Sequence, residues 1–168
     1  MAGGNFIFKP TADSTEYVRA AYEGVINGLY DVNVAKAKEV KGELAGKFAA
    51  IAADGTVTLA GDKGKGAVGL IREDLIDMEN ASAKASFYML GMGGEYHVSA
   101  KRLGADISTF KVGEEITTNA DGAIVPAAAG DKVLGTVVSV GEFRMGNMKE
   151  WAGTEANGGL FLGFIMHV

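Results

Sequence analysis

Apolar positions in this chain recur in short alternating runs separated by glycine and aspartate, a spacing of two that belongs to β-strands. Residues 46–71 read GKFAAIAADGTVTLAGDKGKGAVGLI, and most of that pattern returns at residues 113–138 as GEEITTNADGAIVPAAAGDKVLGTVV. In each copy a glycine precedes a short run, an Ala-Asp-Gly triplet, an apolar run and then Gly-Asp-Lys. The Ala-Asp-Gly triplets lie 67 residues apart and the Gly-Asp-Lys triplets 69, so the second copy carries a two-residue insertion near Pro126. Asp54-Gly55 and Asp121-Gly122 predict two-residue hairpin turns, since both residue types tolerate positive φ. The first copy predicts strands over 48–52, 56–59 and 67–71, and the second over 116–118, 124–125 and 133–140. Further strands are expected over 87–90 and 96–102, with an apolar one closing the chain at 159–168.

The period changes once. Val18, Tyr22, Val25, Ile26 and Leu29 recur at three- and four-residue spacing, which predicts a short amphipathic helix over 14–30 capped by Asp13 and Glu16. Gly24 and Gly28 weaken it by about 1 kcal/mol each, so it would depend on tertiary packing. Residues 31–44 alternate and are polar, which suits a connector. Ahead of the helix, Gly3-Gly4 and Pro10 flank Phe6-Ile7-Phe8, which reads either as a first strand or as an extended arm that adds to a partner's sheet edge. The division expected is an arm at 1–13, a helix and connector at 14–45, and a duplicated β-barrel or sandwich at 46–168.

Composition sharpens this reading. The 25 glycines of 168 residues are about twice the usual share of about 7%, which favours tight turns over long helices. A formal charge of −5 supplies no positive field for nucleic acid or an anionic membrane. Cysteine is absent, which removes disulfides, thiolate metal sites and cysteine nucleophiles. The first ten residues lack a signal peptide's basic and apolar regions, and no window approaches the roughly 18 apolar residues of a membrane helix. A soluble compartment is expected.

Candidate chemistry is sparse. Gly64-Lys65-Gly66-Ala67-Val68-Gly69 fits G-x-G-x-x-G, but that fingerprint requires a helix to begin inside it, and the matching part of the second copy, 134–138, is β-branched. Glu73, Asp74, Asp77 and Glu79 are possible oxygen ligands without the order of a calcium loop. Asp54 and Asp121 are explained by their turns. His97 shares a face with Ser99 and Lys101, which predicts solvent exposure, and His167 lies one residue from the end. No catalytic residue, metal or cofactor is therefore assigned.

The repeated Gly…Asp-Gly…Gly-Asp-Lys units, with the Gly- and Ala-rich composition and the N-terminal arm, resemble the head decoration, or cement, proteins of tailed bacteriophages. The resemblance spans roughly 40–140 and, more loosely, 1–10; the helix at 14–30 and the Trp151 region exceed a minimal decoration domain. It implies a non-enzymatic structural virion protein, made in the host cytoplasm, that binds the outside of the capsid lattice as a homotrimer. Its partners would be the major capsid protein and itself, with no direct nucleic-acid or membrane contact. Asn5, Phe6, Ile7 and Phe8 would meet the capsid, and Trp151, Leu160, Phe161 and Phe164 would line the oligomer interface, although the closing strand could equally join the chain's own core. Two other readings stand beside it: a tail, fibre or head-lining component, and a carrier β-barrel whose ligand would meet Lys63, Lys65 and Lys132.

Overall fold

A computed structural model describes residues 18–20, 30–74, 84–91, 94–141 and 160–167. The protein is mainly β. The first copy of the repeat forms β3 (Phe48–Ile51), β4 (Val57–Leu59) and β5 (Gly69–Ile71), and the second forms β9 (Glu115–Thr118), β10 (Ile124–Pro126) and β11 (Gly135–Gly141). Around them run β1 (Val18–Ala20), β2 (Tyr30–Asp31), β6 (Lys84–Ala85), β7 (Phe87–Met89), β8 (Glu95–Ser99) and β12 (Phe161–Met166). One sheet has the order β4-β3-β5-β7, a second β1-β8-β12-β11-β9-β10, and β2 pairs with β6 in a third.

The duplication reaches further than the sequence pattern. The order β4-β3-β5-β7 is matched strand for strand by β10-β9-β11-β12. Register repeats as well: Ile51 faces Val57 as Thr118 faces Ile124, Ala49 faces Gly69 as Ile116 faces Gly135, and Gly69 faces Met89 as Gly135 faces Met166. Loop bonds follow the same plan. Leu90 N–H donates to the Val68 carbonyl as His167 N–H does to Leu134, and Gly46 N–H donates to Ile71 as Gly113 N–H does to Val137. Phe87-Tyr88-Met89 and Phe164-Ile165-Met166 are thus counterparts, a fourth strand too short to show as a repeat in the sequence.

Glycine at 69 and 135 has a packing reason. A β-carbon at Gly69 would press into the Tyr88 carbonyl and the Phe87 ring, and one at Gly135 into the Ile165 carbonyl. The bare backbone lets the fourth strand close on the third.

The two large sheets enclose one core. Phe48, Leu70 and Tyr88 from the first sheet meet Tyr96, Val98, Ile116, Ile124, Leu162 and Phe164 from the second. Phe48 and Phe164 have ring centroids 6.3 Å apart, and Tyr88 and Tyr96 5.0 Å. A second cluster lies on the outer face of the first sheet, where Ala49, Val57, Leu59, Ile71 and Phe87 pack with Ala37 and Leu44. The six-stranded sheet ends at β1 and β10 and does not close on itself. A sandwich, not a closed barrel, describes the packing.

Three expectations are corrected. Within the helix expected over 14–30, Val18–Ala20 is a strand paired with β8, Val18 opposite Val98; residues 14–17 and 21–29 lie outside the described residues. Pairing with a sheet edge overrode a weak helical period that held two glycines. The short helix, α1 (Val34–Glu39), forms instead inside the expected connector, where Asn33 accepts from Lys36 N–H at 3.1 Å and Ala, Lys and Glu favour helix. The hairpins also differ from two-residue turns. Gly55 N–H donates to the Ala52 carbonyl and Ala52 N–H to Thr56, a three-residue loop with its glycine at φ +83°. Gly122, at φ +71°, closes the second loop with the same two bonds, made between Asn119 and Ala123.

Candidate interaction surface

One of the contacts between the two copies is made by a hairpin tip. Residues 119–123 of the second copy lie against the start of β3, where the Gly122 carbonyl accepts from Phe48 N–H at 2.8 Å and Lys47 bridges Ala123 in antiparallel fashion. Gly122 is enclosed: a β-carbon there would meet the Phe48 carbonyl, the Ala60 amide and Leu59. Asn119 braces this tip by accepting from Asp121 N–H at 3.0 Å and Ala123 N–H at 3.1 Å. Lys47 is buried beside it, and burial lowers its pKa against the raising pull of the Asp121 carboxylate.

A polar tie joins the segment after the first copy to the segment before the second. Arg102, in the 3-10 turn Ala100–Arg102 after β8, donates to both carboxylate oxygens of Asp74 at 3.1 and 2.7 Å. Asp74 also accepts from Ala45 N–H at 2.9 Å. This two-pronged pair fixes register as well as distance. Among the expected oxygen ligands, Asp74 is therefore committed to Arg102, and Glu73 accepts from the Ser86 hydroxyl at 3.3 Å; Asp77 and Glu79 lie outside the described residues. No group of three or more potential metal ligands occurs among the described residues.

The first copy's tip is built alike and is exposed. Ala53, Asp54 and Gly55 are exposed, and a β-carbon at Gly55 would meet no atom within 4 Å. Asp54 closes its own turn by accepting from Thr56 N–H at 3.0 Å and the Thr56 hydroxyl at 2.7 Å, bonds that lower its pKa. Residues 111–115, at the start of the second copy, are all exposed, with Val112 at 66%.

The other expected site residues are placed as follows. Phe161 and Phe164 are fully buried in this chain's own core, so their assignment to an oligomer interface is corrected. Phe164 points with Leu162 and Met166 into the core between the sheets, while Phe161, on the opposite face of β12, is buried as well. Leu160 is 49% exposed, while Asn5, Phe6, Ile7, Phe8 and Trp151 lie outside the described residues. His97 does share a face with Ser99, but both are fully buried, on the face of β8 opposite the core residues Tyr96 and Val98. Its Nε2 lies 3.0 Å from Glu95 Oε1, and it packs against Gly163 with Ser139. The Ser139 hydroxyl has no hydrogen-bond partner among the described residues, so imidazole does not activate it in this arrangement. His167 Nε2 lies 2.7 Å from the Thr136 hydroxyl.

The fingerprint segment 64–69 runs from a 3-10 turn at Asp62–Gly64 into β5, so no helix N-terminus faces it. Lys63 and Lys65 are exposed beside it, and Lys132 Nζ donates to the Ala67 carbonyl at 3.3 Å. A shallow cleft elsewhere, lined by Val32, Lys36, Leu44, Val57 and Ile71, has a cavity volume of about 10 Å³. That is below the roughly 300–1,000 Å³ of small-molecule sites. No described helix is long and apolar enough to cross a membrane.

No protein-family model matches the chain, and no curated protein matches it either. Which tip meets which edge had no signal in the sequence. The two Ala-Asp-Gly triplets look alike, and only the packing distinguishes the one that is covered.

Proposed function

We propose that the chain is a non-enzymatic structural virion protein that decorates the outside of a bacteriophage head as an oligomer, most simply a trimer, and braces it. The observation that carries this reading is the duplicated β frame, in which two copies of one unit are locked side by side by a shared core and by Thr118, whose hydroxyl donates to the Gly61 carbonyl and accepts from Gly64 N–H. Such a stiff block with turn tips at its surface suits an object that must repeat over a lattice. Symmetry then multiplies modest contacts into firm attachment. The major capsid protein is the partner, reached through the N-terminal residues Asn5 to Phe8.

The test is to mix purified protein with undecorated phage capsids and image the particles. Regular density on the lattice and shells that survive heating are expected. Bare lattices and unprotected shells would overturn the reading. Removing residues 1–10 is expected to weaken attachment while leaving the circular-dichroism spectrum and melting temperature unchanged.

A further inference from the structure

One of the contacts between the copies is of the tip-to-edge kind. It uses the tip at 119–123 and the edge at Lys47 and Phe48, and so among the described residues leaves one tip and one edge of the two copies unused. Contacts of this kind close into rings or continue as filaments when their free ends meet. The free tip is 52–56, and the free edge is Glu114 and Glu115, which occupy in the second copy the places of Lys47 and Phe48 in the first.

The free edge retains the backbone geometry of the filled one. Phe48 accepts from Ala60 N–H at 2.8 Å, and Glu115 accepts from Ala127 N–H at 2.9 Å. Amide and carbonyl of one strand residue point to the same side. Glu115 N–H therefore faces outward where Phe48 N–H meets Gly122, and among the described residues no loop carbonyl accepts from it.

We propose that the free tip of one chain docks on the free edge of a second copy of this chain, repeating between chains the contact made within each. Glu115 N–H then donates to the Gly55 carbonyl of the second copy, and Glu114 lies opposite Thr56 as Lys47 lies opposite Ala123. Val112 and Ile51, exposed at 66% and 44%, stand next to the two halves. One charge differs. Inside the chain Lys47 faces Asp121, whereas between chains Glu114 faces Asp54, offset in part by Lys111, whose Nζ is 3.9 Å from Glu114. The interchain contact is accordingly the weaker of the two. It is independent of the capsid reading, since it concerns the free protein.

The absence of cysteine makes the test direct. Antiparallel partners lie about 4.5–5.5 Å apart at Cα, within the range a disulfide spans. Under mild oxidation Thr56→Cys with Glu114→Cys is expected to give interchain disulfides, seen as multimers on a non-reducing gel. Lys47→Cys with Ala123→Cys, the internal counterpart, is expected to close within one chain. Separately, Glu114→Lys in the otherwise unaltered chain should tighten self-association about fivefold by sedimentation, as a repulsive surface pair becomes attractive. The proposal fails if the 56/114 pair stays monomeric, closes within one chain, or cross-links no better than Thr56→Cys with Lys38→Cys on the exposed side of α1. It fails equally if Glu114→Lys sediments as the parent does, and that measurement decides alone should the internal control remain reduced.

Discussion

The hairpins at 52–56 and 119–123 close with the same two backbone hydrogen bonds, yet the first stands in solvent and the second is buried against Phe48 and Leu59. The strands behind them are equally alike in order and register. Backbone geometry therefore did not decide which tip is covered. Side chains at the receiving edge did: Phe48 anchors the first copy's edge in the core, while its counterpart Glu115 is exposed and charged. A duplicated scaffold diverges where its copies touch.

The largest effect should come from that pair of positions. Phe48→Ala removes a fully buried ring at the junction of both sheets and is expected to cost about 3–5 kcal/mol in chemical denaturation. Glu115→Ala, at the equivalent place, should stay within about 0.5 kcal/mol. Equal costs at both would mean that the copies are not energetically distinct.

Next come the two glycines that treat the copies alike. Gly69→Ala and Gly135→Ala each drive a β-carbon into the carbonyl of a neighbouring strand, and each should cost about 3 kcal/mol. A near-zero cost at either, read from the denaturation midpoint, would show that the fourth strand is not held as closely there.

Smaller differences belong to the turns. Asn119→Ala removes two hydrogen bonds at the covered tip and is expected to lower stability by about 1–2 kcal/mol. At the open tip the corresponding brace is Asp54, whose folded pKa is depressed by the Thr56 hydroxyl and amide. Its contribution is present above the ordinary carboxylate pKa and fades as pH falls through the depressed folded value. Melting curves across the acid range should therefore lose a small slope in Asp54→Asn, whereas Asn119 has no proton to gain and its replacement should lower stability evenly with pH.

Much of the β frame was legible because its causes are local. Alternating apolar runs, Asp-Gly turns and glycines at fixed places specify strands and hairpins, and each strand expected in the two copies forms within a few residues of its expected bounds. The helix was misplaced for a physical reason. Three residues at 18–20 found hydrogen-bond partners on β8, and no local period can foresee a partner some 80 residues away. His97 is buried for a related reason: alternation gives its face, but whether that face meets water depends on what packs over it.

The sequence by itself determined the repeat, the absence of thiol chemistry and the mainly β class, since these follow from residue type and short-range spacing. Only the tertiary structure decided that the strands at 87–89 and 161–166 complete the two copies as their fourth strands, that Phe161 and Phe164 are enclosed, and which of two similar hairpins remains open. Those outcomes depend on which surfaces meet across long separations, and burial there is a property of the pair of surfaces, not of either segment.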